Sequence, residues 1–422
     1  MLWLNFLHLY QPANADFYSI KITLDKSYWR LLRLVEEHPE LRFTWNISAC
    51  LLDRLDIGGE MAFINRLQAL VKGGRIELTS SAAYHGFLPL LPSREVISQI
   101  KENETILKKY FGKNFKPSGF FLPEMAYSPE VAKLIKKMGY SWIILDEIAF
   151  SGAGKHRPEN GKFYLDSVSG LRVIFRDRKF SSAYPPDKLW DIYQKLRQTK
   201  NSSNNILNLG VLSKPEVSFK SSDIYLSATD AELYGLRHED PTGELEKIVK
   251  IPDLKTLTMS EWWEINKKNK LEKINIYKSS WESTAIEIKN KQPYYLWNNK
   301  NNKIQTDLWK LANLSLSLEN KYKNDKNFYW YHWHLVRGLA SCTFWWASAR
   351  NFVKIFGPYA WSPDDIERGL EDLVRSVRSL DNIKSKKVKL LAEKYYLQIK
   401  KRIWEEHWKK HWKKTILTEK GV

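Results

Sequence analysis

At 422 residues, with 43% hydrophobic residues, the chain can bury one large core and a smaller one. Lys and Arg outnumber Asp and Glu by 67 to 48, a net charge of +19, but no zinc-finger or ribonucleoprotein motif accompanies that surplus, so no nucleic-acid partner is expected. No apolar run reaches the roughly 18 residues a membrane helix needs, which excludes membrane insertion by a helix.

Leu2 to Leu7 reads as a first strand, since it lacks the basic flank and cleavage site of a signal peptide, and it ends at His8-Leu9-Tyr10-Gln11-Pro12. A helix follows with Trp29, Leu32, Leu34 and Val35 as its apolar face. Leu41 to Ile47 is the second strand, ending near Asn46 and Ser48. A helical stretch from about Gly59 to Val71 is stopped by Gly73-Gly74. Arg75 to Thr79 is the third strand, containing Glu77 and leading to Tyr84-His85-Gly86. A helix starting at Ser93 carries Val96, Ile97, Ile100, Leu107, Tyr110 and Phe111 on one stripe.

Gly119 to Leu122 is the fourth strand. Glu124 follows it, ahead of a helix whose start is marked by Ser128 as N-cap and Pro129 in the first turn. Tyr140 to Leu145 is the fifth strand, ending at Asp146-Glu147. Leu171 to Phe175 is the sixth, ending at Arg176-Asp177. A helix from Pro186 through Leu196 and a polar loop over 201–205 precede the seventh strand, Ile224 to Ala228. That strand ends at Thr229-Asp230-Ala231-Glu232. Strands alternating with helical patterns predict a parallel sheet, closed or nearly closed. Residues 266–302 read as an irregular connecting segment after a first domain over 1–265. From residue 303 the pattern is helical to the end, broken around Phe356-Gly357-Pro358. Cys50 and Cys342, both in apolar surroundings, read as buried thiols of a reducing compartment, and a cytoplasmic location is expected.

Nearly every strand ends on a polar residue: His8, Asn46, Glu77, Glu124, Asp146, Arg176, Asp177, Asp230, Glu232. Crowded carboxylates repel unless a function holds them, so this rim is the predicted active site. It has no nucleophile elbow and no glycine-rich phosphate loop. Paired carboxylates, in a chain with 18 Trp and 21 Tyr, point to glycoside chemistry.

The stretches His8 to Pro12, Glu77 with Tyr84 to Pro92, Phe121-Leu122-Pro123-Glu124, and Asp230-Ala231-Glu232-Leu233-Tyr234-Gly235 come in this order, with Phe344-Trp345-Trp346 later. Together they resemble the signature regions of glycoside hydrolase family 57. The resemblance implies an incomplete seven-stranded (β/α) barrel followed by an all-helical domain over 303–422. It implies retaining chemistry on α-1,4-glucans or maltooligosaccharides, of amylase, 4-α-glucanotransferase or branching type, with no cofactor and no metal. Glu124 resembles the nucleophile and Asp230 the acid/base. His8, Gln11, Glu77, His85, Tyr127, Asp146, Glu232, Tyr234, Trp345 and Trp346 fall at substrate-binding positions. Asp146 could instead be packing, Trp345 and Trp346 could be core, and Arg176 with Asp177 reads as a supporting salt bridge. Two departures stand out: Leu9-Tyr10 separates His8 from Gln11, and Ser341-Cys342-Thr343 stands where an acidic residue is usual.

Two rival readings use the same residues. One is a non-catalytic glucan-binding protein. The other is a metal-dependent deacetylase barrel, which needs an Asp and two His as ligands. The sequence sets no oligomeric state. The tail from Lys384 to Lys414 carries Trp404, Trp408 and Trp412 every four residues, and we expect a terminal helix docking these tryptophans with its lysines in solvent.

Overall fold

The computed structural model describes residues 1–152, 156–202, 219–350 and 360–412. The break expected at Phe356-Gly357-Pro358, the end of the 201–205 loop and the last two residues of the tail, Lys413 and Lys414, lie outside those residues. Among the described residues the strands are β1 (Leu2–Leu9), β2 (Phe43–Ile47), β3 (Ile76–Leu78), β4 (Gly119–Phe120), β5 (Trp142–Asp146), β6 (Phe163–Asp166), β7 (Arg172–Arg176), β8 (Ile224–Asp230), β9 (Lys255–Thr256) and β10 (Glu272–Ile274). All seven expected strands are there. The short strands β6, β9 and β10 are additions that no hydrophobic pattern announced.

Two five-stranded sheets result, one in the order β3-β2-β1-β8 with β9 also on β1, the other β10-β6-β7-β5-β4. Every pair is parallel except β6 with β7. A bridge from Ser80 to Phe120 joins β3's edge to β4. At the other margin Asp177 N donates to Leu226 O at 3.4 Å, and Arg176 Nη1 donates to Ala228 O at 2.6 Å. Strands buried on both faces need near-continuous apolar runs, and Trp142-Ile143-Ile144-Leu145 is one. β1 alternates between two cores. Leu4 and Phe6 pack with Phe121, while Trp3, Leu7 and Leu9 pack with the helices over 17–37.

The helical part comprises Lys303–Leu318, Phe328–Gly338, Ser341–Trp345, Pro363–Ser379 and Lys386–Glu406. Leu308, Leu373 and Ile399 belong to the same apolar core as Phe6 and Phe121. The stretch over 266–302, read as a connector, places β10 on β6.

The tail differs from expectation. Its buried residues are Ala392, Ile399 and Ile403, on a face offset from the tryptophan stripe, and Trp408 stays 59% exposed. Trp404 instead donates to Glu367, and Trp361 Nε1 meets His407 Nδ1 at 3.3 Å. Removing residues 403–422 deletes the fully buried Ile403, worth roughly 2–3 kcal/mol. We expect a lower melting temperature in calorimetry, and an unchanged one would show that Ile403 does not dock.

Candidate active site

The ends of three neighbouring strands lie level: His8 is in register with Asn46 on β2 and with Asp230 on β8. Glu124 follows β4 with φ at 61°, and His85, after β3, has φ at 57°. A non-glycine residue in this left-handed region costs about 1–3 kcal/mol, so the surroundings must impose it. They do so through backbone bonds. Trp281 N donates to Glu124 O at 3.0 Å, and Ser341 N donates to His85 O at 2.9 Å. Local strain fixed from two distant segments marks a site rather than a loop.

The Glu124 side chain is 13% exposed. The Trp281 indole donates to its Oε2 at 2.8 Å, and Ser341 Oγ lies 2.7 Å from its Oε1. Burial pushes the Glu124 carboxyl up to about 7; Ser341, where its hydroxyl donates to the carboxylate, works against the shift, the charge of Asp230 adds to it, and the Trp281 indole works against it. Asp230 accepts from Arg237 Nη1 at 2.7 Å. Glu232, two residues on, is buried and accepts from Gln11 Nε2 at 2.8 Å and from Tyr28. Its carboxyl is also pushed up to about 7, by burial first and then by Asp230. The glycine of this motif is required. Gly235 has φ at 111°, and a Cβ there would stand 2.3 Å from the Lys26 carbonyl oxygen.

The two histidines are fully engaged. His8 Nδ1 meets Asn46 Oδ1 at 2.9 Å, His8 Nε2 meets His85 Nε2 at 3.0 Å, and His85 Nδ1 meets Ser341 Oγ at 2.9 Å. Tyr10 stacks on His85 at 4.0 Å and Phe121 on His8 at 4.5 Å. Burial lowers His8 to about 4 and His85 well below the usual histidine range, so both rings are neutral.

Six of the predicted residues therefore meet at one end of the sheets: Glu124, Asp230, His8, His85, Gln11 and Glu232. Six do not. Glu77 is in register with Thr44, two residues below Asn46, and accepts from Ser260 N at 3.0 Å. It holds the start of the helix Met259–Asn266, where a helix N-terminus favours an anion. Tyr127 is fully buried and donates to Asp166 at 2.9 Å. Asp146 is 1% exposed and neutralised by Arg176 and Arg178. Asp177 is therefore not the partner of Arg176, and it caps the helix Arg178–Ser182 instead. Tyr234 packs on Tyr184 in the outer core. Trp345 and Trp346 meet edge to face at 4.7 Å and lie against the main core.

Four residues that touch the carboxylates were not among the candidates: Trp281, Ser341, Arg237 and Tyr28, whose hydroxyl donates to Glu232. Trp281 sits in an irregular stretch with no periodic signal. Ser341 was visible only as a departure from an acidic position. Arg237 is two residues past the Asp230-to-Gly235 motif, where a lone arginine gives no signal. Arg176 lies over the Trp281 ring at 5.2 Å, so the Asp146 ion pair supports that tryptophan from behind. A cavity of about 280 Å³ lies elsewhere, lined by Gly161, Trp262, Trp263 and Asn266. Glu159 is its one carboxylate, so chemistry and not cavity size locates the site.

Carboxylates set at the C-terminal ends of parallel strands, beside neutral histidines, define an α/β protein with a polar site at the strand ends. Residues 5–274 match the family model described as Glycosyl hydrolase family 57, and the chain belongs to that family. It is 28% identical over 170 residues to an alpha-amylase of Pyrococcus horikoshii, a match covering 40% of this chain and 26% of that protein. It is 25% identical over 154 residues to a 4-alpha-glucanotransferase of Thermococcus litoralis, covering 36% of this chain and 23% of that protein. The matched stretch thus spans about a quarter of these relatives' length. The fold resembles the crystal structure of 4-alpha-glucanotransferase from Thermococcus litoralis, with TM-score 0.66 at 16% identity, over 90% of this chain and 60% of that one. It also resembles a branching enzyme of the same family from Thermococcus kodakaraensis, with TM-score 0.65 at 15% identity, over 94% and 95% of the two chains.

Proposed function

We propose that this chain is a retaining enzyme on α-1,4-glucans, a hydrolase or 4-α-glucanotransferase, built on an incomplete seven-stranded (β/α) barrel with an all-helical C-terminal domain. The observation that carries the reading is Glu124. It stands in a strained backbone turn, anchored by Trp281, with Asp230 close enough to act on its charge. In a double displacement, the ionised Glu124 attacks the anomeric carbon as the glycosidic C–O bond breaks, and Asp230 gives its proton to the leaving oxygen. Water or a glucan hydroxyl, losing its proton to Asp230, then attacks the same carbon and releases Glu124. The half-exposed Arg237 must yield the Asp230 oxygen it holds when Asp230 acts as the acid. Gln11, His8 and Glu232 line the same end.

The deacetylase alternative fits this donor set poorly. All four ring nitrogens of His8 and His85 are committed to each other, to Asn46 and to Ser341. Incubation with maltooligosaccharides and amylose, with products separated by size and linkage, tests the proposal. Shortened products alone indicate hydrolysis, redistributed lengths indicate transfer, and no change in either substrate refutes both.

The pH dependence follows from Glu124. A nucleophile raised to about 7 is protonated below that pH, so with an aryl leaving group that needs no proton from Asp230, kcat/KM should fall about tenfold per unit on the acid side of 7. An acid limb at the ordinary glutamate value would place the carboxyl in water instead. The measurement is kcat/KM on an aryl maltooligoside between about pH 5 and 9.

A further inference from the structure

Four contacts run in series through the site: Asn46 Oδ1 to His8 Nδ1 at 2.9 Å, His8 Nε2 to His85 Nε2 at 3.0 Å, His85 Nδ1 to Ser341 Oγ at 2.9 Å, and Ser341 Oγ to Glu124 Oε1 at 2.7 Å. Each contact needs one hydrogen. The direction at the far end is fixed. Asn46 Nδ2 points at Thr79, 3.4 Å from its carbonyl oxygen, which can only accept. The Asn46 oxygen therefore faces His8, and His8 carries its hydrogen on Nδ1. A neutral His8 then has a bare Nε2, so His85 must carry its hydrogen on Nε2. That leaves His85 Nδ1 bare, and the single hydroxyl hydrogen of Ser341 goes to it. The fourth contact has no hydrogen left from these three groups.

We propose that Glu124, Ser341, His85 and His8 share one extra proton in the free protein, resting on the Glu124 carboxyl, and that Ser341 is the positioning residue that keeps it there. This deepens the proposed function as a control on the nucleophile, and it rests on that reading for its kinetic consequence only.

The proton could instead sit on the histidine pair. The surroundings favour Glu124. Both rings are 2% exposed, packed between Tyr10, Phe121 and Trp281. His8 faces Asp230 and Arg237, whose charges oppose each other, and His85 faces His8 and Glu124. Glu124 faces two further carboxylates, Asp230 and Glu282, with the neutral Tyr10 and Cys342 behind. Two negative neighbours and burial hold a proton on a carboxyl.

Ionising Glu124 takes the fourth hydrogen away. Ser341 can turn toward the carboxylate, but His85 Nδ1 then loses its donor. Reversing the whole series only moves the gap to Asn46, which cannot turn without abandoning the Thr79 carbonyl. The series therefore opposes ionisation of Glu124. An ordinary serine donating to a carboxylate would promote it. The two roles predict opposite signs for one substitution.

The test uses the full chain labelled with nitrogen-15 at histidine. Long-range nitrogen–proton spectra report the tautomer of each ring, with assignments from His8→Gln and His85→Gln. The expected result is His8 neutral with hydrogen on Nδ1 and His85 neutral with hydrogen on Nε2, both shifting together where Glu124 titrates. In Glu124→Gln, whose amide supplies the fourth hydrogen, that joint transition should vanish while both tautomers stay. An imidazolium at neutral pH, the opposite tautomers, or His85 signals blind to the titration would each overturn the proposal. In the kinetic arm, Ser341→Ala should move the acid limb of kcat/KM down by about one unit, with Ser341→Thr restoring it. A limb that moves up or stays would overturn the role of Ser341. The expected tautomers in a chain inactive on every glucan would support the proton series and refute the catalytic reading alone.

Discussion

Glu124→Gln should lose roughly four orders of magnitude in kcat on maltooligosaccharides and gain stability at alkaline pH. The amide keeps shape and hydrogen bonds to Trp281 and Ser341 but cannot form the glycosyl ester. The stability gain follows from linkage. In the folded chain the carboxyl is raised to about 7 from the 4.5 of the unfolded chain. Between those values the folded state holds more protons than the unfolded one, so stability falls as pH rises through that window. The shift amounts to roughly 3 kcal/mol above pH 7, which Glu124→Gln removes. For a chain of this size that is roughly 3 °C in melting temperature, with no difference expected near pH 4. Retained turnover would require another nucleophile. Equal melting temperatures at both pH values would show that Glu124 is not buried. Asp230→Asn should differ: most activity is lost, yet substrates with good leaving groups recover the first step, because they need no proton.

The strands were legible because a buried parallel strand needs an uninterrupted apolar run, and each run ended on a polar residue worth suspecting. Glu124, Asp230, His8 and His85 came from that rule combined with motif order. Glu77 shows where the rule fails. It lies on a strand like the others, but register decides its level, and register depends on which strand pairs with which. Tyr127 and Tyr234 fail for a related reason. They stand beside site residues in sequence, while their side chains turn into cores on opposite sides of the backbone. Trp281 and Ser341 reach Glu124 across 157 and 217 residues of chain, a closeness that no local pattern encodes.

That closeness carries the last prediction: a chain ending near residue 270 should be insoluble or inactive. Phe6, Phe121, Leu308, Leu373 and Ile399 lie in one apolar core, so the cut exposes a face that the helical part now covers. Packing alone would predict aggregation, and the site adds a second loss. Without Trp281, Glu124 loses the backbone donor and the indole that hold its left-handed turn. Without Ser341, His85 loses the amide that holds its own. Each turn costs about 1–3 kcal/mol to maintain and should relax once unsupported. A solubilised fragment would thus keep Glu124 and Asp230 in its sequence and still misplace Glu124. Expression of residues 1–270, with solubility, melting and glucan turnover measured against the full chain, decides the matter. A stable and fully active fragment would mean that the first 270 residues alone hold Glu124 and His85 in place.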